Sequence, residues 1–364
     1  KIAIIHYWLV NMRGGEKVLE ALLEIFPTAD IYTHVYDPSA VSRLISSHHV
    51  YTSYINRLPF AKKLYQKYMP LMSNALNGFN LQEYDLVISS EAGPAKGVVP
   101  NPKAYHICYC HSPMRYLWDM YHEYFRDAGF LTRFFMKRLI PTLRVWDFMS
   151  SNMVDLFIAN SSWVQSRIRR YYRREAVIVY PPVDIERYMA VERKPENFYL
   201  FFGQLTGYKR ADIALEACIR SGRKLVVAGA GAEKGLVRRY EKTGLVHFTG
   251  RVSDEEVVSL LSRARALLFP GIEDFGIIPV EANAAGCPVI AFRGGGTLDT
   301  VKEGVSGLFF DEQSPAALIR ALDKFEESES SFSCRDAYAE HVGQFSREVF
   351  KERIACIINE REWL

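Results

Sequence analysis

Short apolar runs of six to eight residues alternate with segments of helical period along most of the chain. The runs are apolar on both faces, which is typical of strands buried in the middle of a layered structure. Because helical patterns separate them, we predict parallel strands with helices covering both sides of each sheet. The predicted strands are residues 1–8, 31–36, 85–90, 104–111, 156–161, 176–182, 198–205, 224–231, 246–252, 266–272 and 287–292.

The series of strands begins afresh near residue 198, after the polar stretch AVERKPEN at 190–197. A chain of 364 residues is long for one core, so we expect two domains, residues 1–190 and 191–345. The predicted fold class is α/β, with two doubly wound, Rossmann-like parallel sheets that face a central cleft. The last segment, 346–364, has a helical pattern with no strand after it, and we expect it to pack back on the first domain.

Composition and charge exclude several classes of protein. With 49% hydrophobic and 24% charged residues, the chain is predicted to be globular. The net charge of +3 is too small to indicate a nucleic-acid partner, although the balance is +6 over residues 1–189 and −3 over the remainder. No apolar run approaches the ~20 residues of a membrane-spanning helix, and the apolar start lacks the features of a signal peptide. Six scattered cysteines fit a reducing compartment, so we expect a cytoplasmic protein.

Two carboxylates eight positions apart, Glu273 and Glu281, stand out in the stretch FPGIEDFGIIPVEANAAGCPVIAF. The pattern places Glu273 in the loop after a strand and Glu281 in the opening turns of the following helix, with Pro279 in its first turn. A helix N-terminus offers free N–H groups and a positive dipole end to an anion, and Gly276 lets the backbone approach it closely. The arrangement therefore favours a phosphate site, and the alternative is that Glu281 only complements the helix dipole.

Glycine-bearing loops follow four further predicted strands. A glycine after a strand is usually only a turn, and no GxxxxGK[ST] phosphate loop occurs. Together, however, these loops put several helix starts that can bind phosphate near one another, and Lys209 adds a cation that could neutralise a diphosphate. The glycines are Gly14 and Gly15, Gly203 and Gly207, Gly229 and Gly231, and Gly294 to Gly296.

The early GG loop, FFGQL followed by lysine, VHFTGRVSDEE, the E-x7-E stretch and the closing GGG with its aspartate occur in a specific order. This set resembles a GT-B retaining glycosyltransferase of glycosyltransferase family 4, and the likeness covers nearly the whole chain. Residues 155–184 are also similar to bacterial and archaeal mannosyltransferases that build lipopolysaccharide O-antigen chains.

The resemblance implies a nucleotide-sugar donor held mainly by the second domain. Glu281 would bind the ribose hydroxyls, Glu273 the transferred sugar and Lys209 the diphosphate. Gly14 and Gly15 would let the first domain close on the phosphates. The remaining implied donor-binding positions are Gly203, Gln204, Arg210 and Gly229 in the loops, Arg251 and Val252 around the base, and Phe275, Gly276, Ile277 and Ile278 near the sugar and phosphate.

The resemblance also implies a catalytic set of His111, Glu273 and Lys209, with no metal and no cofactor. His111 follows a predicted strand and would reach the donor sugar from the acceptor side, and the alternative is an ordinary loop histidine. Two positions depart from the family: Gln204 stands where arginine is common, and Asp299 where glutamate is usual. Either Arg210 or another cation compensates for Gln204, or the diphosphate is stabilised less strongly.

The implied activity is transfer of a hexose, mannose from GDP-mannose, to a glycan or lipid-linked oligosaccharide in cell-surface polysaccharide synthesis. The alternatives are a nucleotide-sugar epimerase of the same architecture and a sugar-nucleotide-binding protein with weakened catalysis. Both would use the same donor site, so the sequence leaves them open.

Basic and aromatic residues cluster in segments 57–76, 130–149 and 163–175. Basic amphipathic stretches of this kind suit an anionic membrane surface, so we expect peripheral contact with the inner face of the cytoplasmic membrane. The alternative is a set of ordinary helices with their aromatic residues in the core. Nucleic-acid binding fits the charges but no recognised motif, and we expect none.

Overall fold

The computed structural model describes residues 1–332 and 335–360 as two compact α/β units. The first unit comprises Lys1–Pro181 together with the chain from Phe350 onward, and the second comprises Pro182–Val349. The units therefore divide earlier than the expected boundary at 190/191. The reason is the helix Ile185–Met189, which packs on the second unit.

The first unit contains a seven-stranded parallel sheet in the order β3-β2-β1-β4-β5-β6-β7. Its strands are β1 (Ile2–His6), β2 (Asp30–Thr33), β3 (Val50–Thr52), β4 (Leu86–Glu91), β5 (Tyr105–Cys110), β6 (Leu156–Ala159) and β7 (Ala176–Ile178). Its α-helices are α1 (Gly14–Ile25), α2 (Arg43–Ser46), α3 (Ala61–Leu64), α4 (Met69–Ala75), α5 (Tyr121–Asp127), α6 (Phe130–Ser150) and α7 (Ser162–Tyr172).

The second unit contains a six-stranded parallel sheet in the order β10-β9-β8-β11-β12-β13. Its strands are β8 (Tyr199–Phe202), β9 (Leu225–Ala228), β10 (Val246–Gly250), β11 (Leu267–Phe269), β12 (Val289–Phe292) and β13 (Gly307–Phe310). Its α-helices are α8 (Ile185–Met189), α9 (Ala211–Arg220), α10 (Lys234–Glu241), α11 (Asp254–Arg263), α12 (Ile277–Ala284), α13 (Thr297–Thr300), α14 (Pro315–Glu327) and α15 (Arg335–Gly343).

The last helix, α16 (Arg347–Asn359), returns to the first unit, where Phe350, Ile354 and Ile358 enter the core. It was expected over 346–364, and residues 361–364 lie outside the described residues. Phe350 packs edge-to-face on Tyr109 of β5, with 5.7 Å between ring centroids. The apolar face of this helix is thus covered by the first unit.

The predicted class of two parallel sheets is confirmed, and every predicted run overlaps a strand. Two strands were missed, β3 and β13, and each lies at an edge of its sheet. The other two edge strands, β7 and β10, were predicted, so the misses reflect the residues of β3 and β13 themselves. β3 has three residues and exposes Tyr51, whereas β13 is a four-residue run that begins at a glycine.

The cysteines fit the expected pattern of free thiols where they are described. Those at 108, 110, 218 and 287 are buried and Cys356 is exposed, while Cys334 lies outside the described residues.

A buried cluster of charged residues joins the carboxyl end of β4 to α6. Lys96 lies between Glu91 and Asp147, and all three side chains are shielded from solvent. The Lys96 backbone N–H donates to Glu91 Oε2 at 2.8 Å, and Trp118 donates to Asp147 at 2.7 Å. Burial raises the pKa of Glu91 to about 7, against the opposing effect of Lys96 and with reinforcement from Asp147.

We expect Glu91 to make the unfolding free energy of the first unit fall as pH rises from about 4.5 to about 7. In that window the folded chain holds the Glu91 proton and the unfolded chain has released it, so rising pH favours unfolding, by an amount on the order of 1 to 3 kcal/mol. Urea unfolding of Glu91→Gln at about pH 5 and about pH 7.5 should lack this decrease. The exposed-carboxylate control Glu123→Gln should retain it, and an unchanged decrease in Glu91→Gln would contradict the assignment.

Candidate functional site

At the centre of the second sheet, the order in which successive strands are added switches from one side to the other. β8 and β11 are neighbours there, and the chain leaves β8 toward β9 on one side and β11 toward β12 on the other. The loops after these two strands, residues 203–210 and 270–276, therefore diverge at the carboxyl edge of the sheet. In open parallel sheets such a switch point forms the crevice where ligands bind.

An ion pair bridges the two loops. Lys209 Nζ lies 2.7 Å from Glu273 Oε1, and the side chains are only 12% and 20% exposed. The pair borders a small pocket at the ends of β8 and β11, which is also lined by Phe201, Phe202, Phe269, Pro270 and Gly271. Because aromatic side chains limit access of water, the attraction between the two charges is stronger than at an open surface. Each charge fixes the position of the other.

Close backbone packing places Lys209 at this spot. Gly229, at the end of β9, lies so near Gly203 that a Cβ on it would stand 1.8 Å from the Gly203 carbonyl oxygen. A Cβ on Gly203 would in turn lie 3.0 Å from Lys209 Nζ and 3.5 Å from Ile278 Cδ1. Only glycine permits both approaches. Gly203, Gly229, Lys209, Glu273 and Ile278, all predicted site residues, are thus brought together.

The N-terminus of α12 adds backbone donors beside the ion pair. Gly276 caps the helix with a φ of +89°, a conformation that favours glycine, and Ile277 and Ile278 form its first turn. Pro279 follows and has no N–H group to leave unpaired. The Gly296 N–H donates to the Glu273 carbonyl at 2.9 Å, so the GGG loop holds the segment that carries Glu273. The first turn of α12 thus lies close to Gly203 and Lys209, and anion binding at this helix end stays a prediction.

Glu281 has a different partner. It lies on α12, and the phenol of Tyr188, which is buried on α8, interacts with its carboxyl group. Burial raises the pKa of Glu281 to about 7, an effect that Tyr188 and Arg187 oppose and Asp254 reinforces. Glu281 therefore does more than complement the helix dipole, because its carboxyl group is held at the contact between α8 and α12. Tyr188 was not found from the sequence, since no motif marks it.

Several other predicted positions lie around this centre. Arg251 and Val252 follow β10, and the Gly250 carbonyl accepts the Gly229 N–H at 2.7 Å, so their loop adjoins Gly229. Phe275 is buried and packs edge-to-face on Phe345, so its side chain serves the core of the unit.

Gln204 stands where the family commonly has arginine, and Arg210 is the nearby cation that could compensate for it. The two side chains differ in their surroundings. Gln204 is exposed in the loop after β8. Arg210 donates to Asp212 through Nε at 3.0 Å and through one terminal nitrogen at 2.9 Å. Its charge is therefore balanced by a neighbour two residues away, which weakens the case that Arg210 replaces the usual arginine.

In the first unit, the predicted residues gather at the equivalent edge of the sheet. His111 directly follows β5, and its backbone N–H donates to the Glu91 carbonyl at 2.8 Å. Its Nε2 is 2.8 Å from Ser90 Oγ, and its ring faces Tyr109. Gly14 and Gly15 begin α1, and a Cβ on Gly15 would lie 2.4 Å from the Tyr7 hydroxyl. The structure thus gives Gly15 a packing role, and its role toward phosphates stays a prediction.

The segment 130–149 forms most of α6 and exposes much of its apolar surface. Phe130 is 89% exposed, and Leu131, Phe134 and Phe135 are each at least half exposed. These aromatic residues are therefore not in the core, contrary to the alternative considered for this segment. Across residues 1–332 and 335–360, no helix combines the length and the apolar character needed to cross a bilayer.

Known protein families match most of the chain. The family model for Glycosyltransferase Family 4 matches residues 12–187, and the model for Glycosyl transferases group 1 matches residues 184–345. The human alpha-1,3/1,6-mannosyltransferase ALG2 is 25% identical over 314 residues, which are 75% of this chain and 72% of ALG2. The D-rhamnosyltransferase WbpZ of Pseudomonas aeruginosa is 32% identical over 187 residues, 46% of this chain, and the match spans only about half of WbpZ (49%).

A solved structure shares the fold of the whole chain. Anabaena Alr3699/HepE, crystallised with UDP and glucose, superposes with a TM-score of 0.71 over 99% of both chains at 18% identity. At this identity the likeness establishes the fold alone. The two family models together match residues 12–345, and the fold of the whole chain is shared with HepE. The chain therefore belongs to the GT-B glycosyltransferases, with a family 4 domain followed by a group 1 domain.

Proposed function

We propose that this glycosyltransferase transfers mannose from GDP-mannose, with retention of anomeric configuration, to a hydroxyl of a glycan or lipid-linked oligosaccharide in cell-surface polysaccharide synthesis. The observation that carries the proposal is the Lys209–Glu273 pair at the switch point of the second sheet. The choice of mannose is supported by the likeness to ALG2, which is a mannosyltransferase. The alternative is a donor with uridine in place of guanosine, since HepE was crystallised with UDP.

Donor binding would use the ion pair as a preformed receptor. A diphosphate carries more charge than one carboxylate, so it would compete with Glu273 for the Lys209 ammonium group. Glu273, released from that contact, could accept hydrogen bonds from hydroxyls of the sugar. The amides of Ile277 and Ile278 and the dipole of α12 would add to the charge stabilisation, so we propose that no metal is required.

The proposed chemical step would use these contacts. The bond between the sugar C1 and the diphosphate oxygen breaks, and the diphosphate leaves with the electron pair. The acceptor oxygen forms its bond to C1 on the same face, and its proton passes to the departing phosphate oxygen. Lys209 and the first turn of α12 would stabilise the negative charge on the leaving group, which grows in the transition state.

The other predicted residues have supporting roles in this proposal. Glu281 would accept hydrogen bonds from the ribose hydroxyls, and it would share them with Tyr188. His111 would contact the transferred sugar. Gln204 would donate a neutral hydrogen bond where the family usually has a charge.

We also propose that α6 contacts the anionic inner face of the cytoplasmic membrane, where a lipid-linked acceptor would be found. Phe130, Phe134 and Phe135 provide exposed apolar area, and Lys137 and Arg138 are exposed on the same helix. Aromatic residues insert at the headgroup boundary while cations attract anionic lipids, so both features support one surface.

The donor is tested by thermal unfolding with GDP-mannose, UDP-glucose and dTDP-glucose. GDP-mannose at about 100 times its Kd should stabilise the folded chain by about 2.7 kcal/mol, and the other two should stabilise it less. The protein should release GDP only when an acceptor is supplied. If UDP-glucose stabilises the folded chain and GDP-mannose does not, the choice of donor is wrong. If the donor sugar is converted in the absence of an acceptor, the protein is an epimerase.

Lys209→Ala and Glu273→Ala should each lower kcat by roughly 10²-fold, because each removes a charge aimed at the reacting donor. Initial rates are measured with EDTA present, so that no divalent metal ion contributes to turnover. The matched control is Lys224→Ala, an exposed lysine at the opposite, amino end of the same sheet, which should keep wild-type turnover. Near-wild-type kcat in both site variants, with unchanged thermal stability, would remove the site assignment.

Membrane contact is tested by sedimentation with vesicles that contain an anionic lipid. The double variant Phe130→Ser/Phe134→Ser, which leaves the net charge unchanged, should bind roughly tenfold more weakly. Val99→Ser removes another exposed apolar side chain of the first unit and should bind like the wild type. Equal binding of the double variant, or no binding of the wild type, would contradict a membrane surface on α6.

A further inference from the structure

A polar chain lies behind His111 and leads away from the surface into the first unit. His111 Nε2 is 2.8 Å from Ser90 Oγ, and Ser90 Oγ is 3.0 Å from His6 Nδ1. On the far side of the imidazole, His6 Nε2 is 3.7 Å from Glu16 Oε1, which is within charge–charge range but longer than a hydrogen bond. Four side chains from four elements thus form one continuous series.

The series crosses the switch point of the first sheet. His6 ends β1, and Ser90 of β4 is its direct neighbour in the parallel register. β1 and β4 are the two strands from which the chain proceeds to opposite sides of the sheet, and His111 follows the next strand, β5. His6, Ser90 and Glu16 have at most 1% of their surface exposed. Buried polar groups of this kind cost stability unless their partners are well chosen, so their arrangement calls for a functional reason.

Glu16 has two tasks, one for each oxygen. Its Oε2 accepts the Arg13 backbone N–H at 2.9 Å and so caps α1, while its Oε1 faces His6. Burial alone would raise the pKa of Glu16, but the contact with His6 and backbone N–H groups outweigh burial and lower the pKa. Glu16 is therefore an ionised carboxylate directed at the edge of the His6 ring.

The charge of Glu16 determines the direction of the hydrogen bonds. A carboxylate favours an N–H group over a lone pair, so the His6 proton belongs on Nε2. His6 Nδ1 then accepts from the Ser90 hydroxyl, and the Ser90 oxygen accepts from the Nε2–H of His111. A proton added to His6 would reverse both bonds and move the His111 proton to Nδ1.

We propose that Glu16, His6 and Ser90 are positioning residues that hold His111 in the Nε2–H tautomer, in which its Nδ1 is a hydrogen-bond acceptor. This inference rests on the proposed role of His111 in sugar transfer. The aromatic rings of Tyr7, stacked on His6 at 4.2 Å, and of Tyr109, facing His111 at 5.1 Å, restrict rotation of the two imidazoles. The tautomer and the ring orientation are thus fixed together before any donor binds.

The tautomer is measured directly by ¹⁵N NMR of the imidazole nitrogens in the full chain labelled at histidine. His111→Gln identifies the signals of His111 by their loss. We expect a protonated Nε2 and an unprotonated Nδ1 in the wild type, and loss of this preference in Ser90→Ala. A wild-type His111 protonated on Nδ1, or a tautomer that Ser90→Ala leaves unchanged, would overturn the proposal.

Turnover provides a second and independent measurement. Glu16→Gln keeps an oxygen that can cap Arg13 but removes the charge, so kcat should fall roughly tenfold or more while the donor KM and the melting temperature stay close to wild type. The control is Glu20→Gln on the same helix, whose carboxylate pairs with Lys17 at 3.1 Å and lies outside the series. Equal kcat for Glu16→Gln and the wild type would contradict the inference. If the wild type transfers no sugar, the proposed function fails. The tautomer measured by NMR in the protein without donor still shows whether the series sets the protonation of His111.

Discussion

The contact between the Lys209 ammonium group and the Glu273 carboxylate is the interaction on which the proposed chemistry of the second unit depends. The two side chains come from loops that leave adjacent strands in opposite directions, so the pair also holds the mouth of the switch point in one shape. Neither charge is fully exposed, and removing either partner would leave the other partly buried without compensation. In the proposed function, a diphosphate would take the place of the Glu273 carboxylate at Lys209.

Both units use the same position in their sheets for polar groups, but in different ways. In the second unit an ion pair joins the loops after β8 and β11, where close glycine contacts bring the backbones together. In the first unit a series of hydrogen bonds and a charge contact links β1, β4 and the residue after β5. An ion pair suits a ligand that carries charge, whereas a neutral imidazole suits a hydroxyl. The two arrangements therefore suit different ligand chemistry, a charged group in the second unit and a hydroxyl group in the first.

Much of the fold could be predicted because parallel strands covered on both faces must be apolar throughout. That constraint identified the other strands and failed at β3, which exposes Tyr51, and at β13, a four-residue strand that begins at a glycine. The glycines at 203 and 229 and the cap at Gly276 were also found, because their backbone geometry excludes other residues.

The partners that depend on strand register could not be predicted. Ser90 is 84 positions from His6 in sequence, and only the pairing of β1 with β4 makes them neighbours. Tyr188 is similarly brought to Glu281 by packing of α8 on α12, which no local pattern specifies. These contacts determine which atoms of the candidate residues are available for chemistry.

A crystal structure of the full chain with bound GDP-mannose tests the central claim most directly. The account predicts diphosphate oxygens about 3 Å from Lys209 Nζ and from the amides of the first turn of α12, with Glu273 turned from the lysine to the sugar. A donor bound elsewhere, with the Lys209–Glu273 contact still intact, would contradict it.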